Sequence, residues 1–423
     1  MEHTKQILLE RAVDINVRDE FLKKLESGKK LRIKFGIDPT GPVLHIGRAS
    51  TIRQLKKFQD LGHTVVLIIG DFTGQIGDTS DKQSERQPLT REQIEANMAN
   101  YKQQLGILLD INKAEFHYNS TWHDKLTFGE SLQLAQSFTV AQMIERENYA
   151  LRFEQHKPIG LHEFMYPLMQ GYDSVAIKAD VEIGGTDQLF NLMAGRVIQK
   201  RYGQTPQSVV TFDLLEGTDG RKMSTSWGNA IYITDDALSM YGKVMSITDT
   251  LIAQYYKICT DIPAAVITEL VKTIAGGANP RDAKASLARE IVSIYHDEAS
   301  AITAEEAWNK QFREGGRPDA IAGSTPIVIE SANPYLVLDD PAPAPGTVVK
   351  DSAPFKDVET PLIQILVDNG LAASRSEARR LLEQGGVKLN DEKMELIIQT
   401  PLRIKTGDIL QVGKRRYLKL VVA

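Results

Sequence analysis

Five short stretches of this 423-residue chain hold the side chains best suited to chemistry. Asp38-Pro39-Thr40-Gly41-Pro42 leads to His45-Ile46-Gly47 at the start of a helical pattern. A helix N-terminus carries partial positive charge and unpaired N–H groups, so a histidine and a glycine there can meet phosphates, or the histidine can simply satisfy a loop. Asp71 to Asp78 is a polar loop punctuated by Gly74 and Gly77. It reads either as a plain connection or as a binding loop in which Asp78 holds an ammonium. Tyr166, Gln170 and Asp173 stand at i, i+4 and i+7, on one face of a helix. A stripe of phenol, amide and carboxylate suits a small polar ligand, or else a solvated or capping face. In Gly184-Gly185-Thr186-Asp187-Gln188 the bare backbone admits a flat or phosphorylated ligand, and Asp187 is placed as an acceptor for ribose hydroxyls would be. The fifth stretch, Gly217 to Ser226, ends in Arg221, Lys222, Ser224, Thr225 and Ser226, two cations and three hydroxyls suited to folding over a polyphosphate. No Gly-x-x-x-x-Gly-Lys-Ser/Thr and no Gly-x-Gly-x-x-Gly occurs, which argues against P-loop and nicotinamide chemistry.

These stretches need a frame. Apolar runs at 31–37 and 63–70 flank a helical pattern of Ile52, Leu55, Phe58 and Leu61 that Gly62 can stop. Strand, loop, helix and strand in that order are the crossover of a parallel sheet, and ligands sit beyond the carboxyl ends of its strands. Residues 1–30 read as an amphipathic helical lead-in without chemistry. Thr90 and Gln93 form a capping-box pattern for a helix running to about Leu109, and Trp122 to Gln155 is helical again. The Asp180 to Gln188 motif follows a further strand. From Asp235 to about Gly323 the spacing is that of a helical bundle, and Pro341-Ala342-Pro343-Ala344-Pro345-Gly346 marks an extended linker. In the tail, Leu371 to Leu382 reads as a capped helix with Arg375 and Arg379 on one face. Gly385-Gly386 then turns into a strand through Lys388, and Lys414-Arg415-Arg416 adds charge.

Composition sets the class. With 42% hydrophobic and 25% charged residues the chain is an ordinary soluble globular protein, long enough for about two to four domains. No signal-peptide core and no run near the roughly 20 apolar residues of a membrane span is present, so the protein is expected to stay where it is made. The single Cys259 excludes an intramolecular disulfide and a thiolate zinc cluster and fits a reducing compartment. No metal site is read. The net charge of −5 hides an asymmetry: Pro361 to Ala423 carries eleven Lys and Arg against seven Asp and Glu, leaving 39 against 48 in the rest. A basic tail on an acidic body suits polyanion binding, or a solvated surface.

Together the motifs closely resemble those of bacterial-type tyrosyl-tRNA synthetases, members of class I. His45-Ile46-Gly47-Arg48 resembles the first signature (HIGH), and Lys222 to Ser226 the second (KMSKS). Gln170-Gly171-Tyr172-Asp173 and Gly184 to Gln188 match the tyrosine and ribose sites in the right order, and the likeness covers essentially the whole chain. It implies an α/β protein with a Rossmann-like parallel-sheet catalytic domain at 1–220 and a signature loop with a helical tRNA-contacting domain at 221–325. A linker at 326–355 and a small α+β RNA-binding domain of the ribosomal small-subunit type at 356–423 complete it. The implied reaction joins tyrosine to ATP, giving tyrosyl-adenylate and pyrophosphate, then moves tyrosine to the 3′ end of its tRNA. There is no bound cofactor; ATP is a substrate accompanied by Mg2+. A cytoplasmic homodimer with no membrane partner is implied too. Catalytic roles go to His45, Thr40, Lys222, Ser224 and Thr225, and ATP contacts to Asp38, Gly47, Arg48, Gly185, Asp187 and Lys222. Tyrosine contacts go to Lys34, Asp78, Tyr166, Gln170, Asp173 and Gln188, and RNA contacts to Arg375, Arg379, Arg380, Lys388, Lys414 and Arg415. Asp173 accepts the substrate phenol; phenylalanine would leave it unpaired, at a cost of about 1 to 3 kcal/mol or more.

Three positions depart from the family pattern. Arg48 stands where the first signature usually ends in histidine, Thr225 replaces the second lysine of the other signature, and Lys34 occupies a place where one branch sets a tyrosine against the phenol. They keep open a weakly active or inactive RNA-binding relative. Asp173 argues against the tryptophanyl sibling.

Overall fold

The computed structural model describes residues 2–39, 41–78, 89–98, 101–223, 227–313, 327–329, 336–338, 358–369, 371–372, 374–390, 392–398, 402–413 and 416–422. They fall into two compact units, residues 1–308 and 309–423.

The first unit is built on six strands: β1 (Ala12–Asn16), β2 (Arg32–Ile37), β3 (Thr64–Ile69), β4 (Glu115–Tyr118), β5 (Val181–Gly185) and β6 (Ser208–Phe212). Their order is β1-β6-β5-β2-β3-β4, and all neighbours are parallel except the edge pair of β1 and β6. The chain leaves β2 toward β3 on one side and reaches β5 on the other, so the crevice beyond the carboxyl ends of β2 and β5 is the switch point where such sheets take ligands. The expected strand, loop, helix and strand are β2, the loop to His45, the helix Ile46–Asp60 and β3; Gly62 ends that unit at φ +92. The lead-in is not wholly helical. Two helices, Glu2–Arg11 and Arg18–Glu26, enclose β1, a short strand held by pairing with β6 rather than by its own pattern. The double glycine of 184–185 ends β5 itself, with the helix Leu189–Arg201 after it.

Between β4 and β5 the expected long helical stretch is four short helices, Ser120–His123, Phe128–Ala135, Val140–Ile144 and Glu147–Glu154. Thr127 with Glu130 and Thr139 with Gln142 form capping boxes that start two of them. The capping box of Thr90 with Gln93 is present as well. Downstream, the helices Ala237–Met245, Ile252–Cys259, Ala264–Ala275, Pro280–Tyr295 and Glu298–Arg313 supply the expected bundle. Its apolar faces do not close on themselves: Met240, Tyr255, Leu287 and Ile291 belong to the same buried cluster as Ile33, Ile52, Leu55 and Val65 of the sheet layer.

The second unit has its own core around Leu362, Leu366, Leu382, Val387, Leu410 and Leu420. Helices Leu362–Asp368 and Arg375–Glu383 pack with short strands at Val387–Leu389, Ile409–Val412 and Arg416–Val422. Two pieces of the expected linker, Ile327–Ile329 and Leu336–Leu338, are strands paired with Arg416–Val422 and Leu402–Ile404.

Candidate active site

A cleft of about 410 Å³ opens at the switch point, lined from β2, β3, β5 and the loops that follow them. At its closed end stands Asp173, on the helix Met165–Ile177 and 3% exposed. Its Oδ1 accepts from Trp122 Nε1 and from His123 Nε2, each at 2.8 Å, while Asn119 Nδ2 lies 3.4 Å from Oδ2. Asn119, Trp122 and His123 follow β4 directly, so the sheet edge and the helix bring the carboxylate and its donors together. Sequence reasoning missed all three. The Asn119-Ser120 pair beyond a short β-prone run was the available signal.

Two turns back along the same helix, the Tyr166 hydroxyl donates to Asp38 Oδ2 at 2.8 Å, and Thr73 Oγ1 donates to Asp38 Oδ1 at 3.0 Å. Burial, with Asp38, Asp78 and Asp173 nearby, raises the Tyr166 phenol well above its ordinary range, so it is a neutral donor. Only glycine fits at Gly70, where a Cβ would run into Asp38 Oδ1 and Thr73 Oγ1. Asp78 accepts from Arg146 Nη2 at 2.9 Å and Gln188 Nε2 at 2.7 Å, and Arg146 lies over the rings of Tyr149 and Phe190. Arg146 was also missed. Asp38, Asp78, Asp173 and Gln170 thus line one cleft, an arrangement that favours a cationic ligand group.

The open end carries the opposite charge. His45 caps the helix Ile46–Asp60, and its Nδ1 accepts from the Arg48 amide at 3.3 Å. Burial together with Arg48 and Lys222 pushes the imidazole down to about 3, so the ring is neutral with its proton on Nε2, a donor. A Cβ at Gly47 would press on the His45 ring and on Leu215. Arg48 Nη1 reaches 3.5 Å to the Asp38 carbonyl and 3.4 Å to the Tyr101 hydroxyl. Lys222 Nζ stands 3.6 Å from Asp187 Oδ2, half exposed at the mouth. A Cβ at Gly185 would lie 2.6 Å from Leu214 and 2.7 Å from Asp187 Oδ1, so bare backbone keeps that wall open. Thr40, Ser224 and Thr225 lie outside the described residues.

Lys34 corrects an expectation. It is fully buried, does not line the cleft, and pairs with Glu182 of β5 at 2.9 Å. Its ammonium is taken up by Glu182, the Ser174 hydroxyl and the Gln170 main-chain carbonyl, and so is not presented to the cleft.

In the second unit Ser374 caps the helix of Arg375, Arg379 and Arg380; these three arginines are exposed, and Arg375 donates to Gln364 at 3.0 Å. Lys388 lies in the strand Val387–Leu389, and Lys414 and Arg415 are outside the described residues.

Residues 26–313 match the family model of class I tRNA synthetases (W and Y), and residues 349–419 match that of the tyrosine–tRNA ligase SYY-like C-terminal domain. The tyrosine–tRNA ligase of Desulfotalea psychrophila is 45% identical over 98% of this chain and 97% of its own length. That of Carboxydothermus hydrogenoformans is 43% identical over 100% and 97%. Among solved structures, a C-terminally truncated mitochondrial tyrosyl-tRNA synthetase of Aspergillus nidulans shares the fold at TM-score 0.59 and 23% identity, over 74% of this chain and 93% of that one. The Archaeoglobus fulgidus tyrosyl-tRNA synthetase complexed with L-tyrosine gives TM-score 0.56 and 22% identity over 72% and 100%. With both family models matched in order and relatives aligned from end to end, the chain belongs to the bacterial-type tyrosine–tRNA ligases of the class I aminoacyl-tRNA synthetases.

Proposed function

We propose that the cleft of the first unit holds tyrosine with its phenol on Asp173 and ATP across His45, Arg48 and Lys222, and that activation occurs where the two meet. The observation that carries this reading is the polarity of the cleft, with carboxylates at the closed end and cations at the open one. The phenol donates to Asp173 Oδ2, since Oδ1 is already filled by Trp122 and His123. The α-ammonium lies among Asp78, Tyr166, Gln170 and Gln188. ATP stacks against Gly185 with its ribose on Asp187, which frees Lys222 for the phosphates. Asp38 holds Tyr166 in place and borders the α-phosphate through its loop.

Activation needs no general base, because the tyrosine carboxylate is already a nucleophile. One of its oxygens bonds to the α-phosphorus while the bond to the pyrophosphate oxygen breaks, and that electron pair leaves with pyrophosphate. What the protein supplies is alignment and stabilisation of charge on the phosphate oxygens. His45 Nε2–H donates to the phosphates, a task that Thr40 shares; Lys222 follows the leaving group, with the Ser224 and Thr225 hydroxyls. Mg2+ comes as the companion of ATP. In the second step a hydroxyl of the terminal adenosine attacks the tyrosyl carbonyl, and AMP departs.

Residues 221–325 and the tail 356–423 contact tRNA in this reading, the tail through Arg375, Arg379, Arg380, Lys388, Lys414 and Arg415. A second copy covers the apolar side chains exposed between 128 and 161, among them Phe128 at 79% and Leu161 at 83%. No helix among the described residues is long and apolar enough to cross a membrane; tRNA and ATP place the working enzyme in the cytoplasm. ATP–pyrophosphate exchange with each standard amino acid tests the core of this reading. Exchange with tyrosine alone supports it; tryptophan-dependent exchange, or none, overturns it. Removing residues after Asp351 leaves that exchange intact and abolishes most tRNA charging; loss of both together refutes the division of labour.

A further inference from the structure

Beneath the cleft floor lies a buried ion pair that no step of the reaction uses. Lys34 of β2 and Glu182 of β5 face each other in register across the two strands that form the switch point, both fully buried. Every polar group of the pair is spent. The three protons of Lys34 go to Glu182 Oε1 at 2.9 Å, the Ser174 hydroxyl at 2.9 Å and the Gln170 main-chain carbonyl at 2.6 Å. Glu182 Oε1 also accepts from Gln170 Nε2 at 3.2 Å, and Oε2 accepts from the Ser174 hydroxyl at 3.2 Å and from Gln207 Nε2. Stability alone does not account for such a pair, because packed apolar side chains of similar volume serve as well or better.

Its consequence falls on Gln170, which belongs both to this network and to the cleft wall. A carboxylate accepts and cannot donate, so Glu182 commits the Gln170 NH2 group downward. The amide oxygen is then left for the cleft, where it has no protein partner among the described residues. An amide turned this way attracts a cation; turned over, it would present two donors to the substrate's ammonium.

We infer that Lys34 and Glu182 are positioning residues that fix the Gln170 amide oxygen-first toward the substrate, so that the site selects tyrosine carrying a free, protonated α-amino group. This rests on the reading above, in which Gln170 meets that ammonium.

The test compares tyrosine with 3-(4-hydroxyphenyl)propanoate, which keeps the phenol and carboxylate and lacks the amine. Both dissociation constants are measured on the full chain, with exchange kinetics alongside. In the unmodified protein the propanoate binds at least about thirtyfold more weakly than tyrosine; equal binding overturns the inference. In the double variant Lys34→Met with Glu182→Gln no cation claims the Oε1 position, so Gln207 Nε2 takes the new amide oxygen at the Oε2 position, the new NH2 faces Gln170, and Gln170 turns over. Tyrosine binding weakens about tenfold or more, while propanoate binding and the ATP KM stay within about threefold. A merely structural lesion would move all of these in step. This variant removes both charges, so no lone ion stays buried; Glu182→Gln alone, in which Lys34 and Gln170 still share an oxygen at the Oε1 position, keeps the wild-type ratio of the two affinities within about twofold. If the double variant folds and keeps that ratio within about twofold, or the single variant loses it, the inference fails. Gln170→Ala separates the two levels. Unchanged tyrosine binding there sinks the ammonium reading itself; weakened binding there, with an unchanged ratio in the double variant, sinks only the role of Lys34 and Glu182.

Discussion

The two ends of the cleft are built on opposite plans. At the closed end, proposed for tyrosine, two carboxylates sit among donors already in place: Asp173 with Trp122, His123 and Asn119, and Asp78 with Arg146 and Gln188. At the open end, proposed for ATP, His45, Arg48 and Lys222 stand close enough that the two cations help to hold the imidazole neutral, and Lys222 stays half exposed beside Asp187. One end is complete before its ligand arrives. The other, in the proposed reading, draws further negative charge from a bound polyphosphate. The difference teaches where selectivity and rate should reside: a completed network punishes the wrong ligand with unpaired groups, whereas a cluster of donors awaiting charge gains most in the transition state.

The largest effect comes from breaking the completed end. Asp173→Ala removes the phenol's acceptor and strands the Trp122 and His123 donors, so kcat/KM for tyrosine falls about 10³-fold while the ATP KM moves little. Steady-state exchange at varied tyrosine measures it. A fall below about tenfold would mean that the closed end does not read the phenol.

Next in size is His45→Ala. Loss of one phosphate donor lowers kcat for exchange about 10²-fold and leaves tyrosine binding unchanged. The pH dependence sharpens this. Because the folded protein holds His45 near 3, the ring is a neutral Nε2–H donor throughout the working range, and the wild-type to variant ratio is the same within about twofold at pH 6 and pH 8. An unshifted imidazole would make that ratio vary with pH. The same shift has a stability sign. An unfolded chain takes up the proton near 6.5 and the folded one only near 3, so His45 destabilises the fold as pH falls through that window and has no effect above it.

Much of this contrast was legible in the sequence, and for local reasons. Spacing alone put Tyr166, Gln170 and Asp173 on one helix face, and a histidine before an apolar helix pattern placed His45 as a cap; both follow from geometry within a few residues. What escaped depends on which strands become neighbours. Lys34 is a charge inside a strand, and its meaning appears only when β2 lies beside β5 and Glu182 comes into register with it. Asn119, Trp122, His123 and Arg146 sit in a region of short helices with little periodicity, and their roles come from a carboxylate carried on another element. β1 escaped because a five-residue edge strand with two exposed positions carries almost no pattern of its own.

The smallest effect tests how loosely the ATP end is specified. Arg48 stands where relatives with the usual signature carry histidine, and its two contacts, at 3.5 Å to the Asp38 carbonyl and 3.4 Å to the Tyr101 hydroxyl, are both long. They tether the guanidinium weakly, so its main contribution is charge near the phosphates. Arg48→His removes that charge and one of the two cations that depress His45. Charge at a partly solvated site is worth little, and the ATP KM should rise about threefold, with tyrosine binding unchanged. Exchange at saturating tyrosine and varied ATP measures it. A loss above about fiftyfold would show that the open end is specified as tightly as the closed one, and the contrast between the two ends would have to be abandoned.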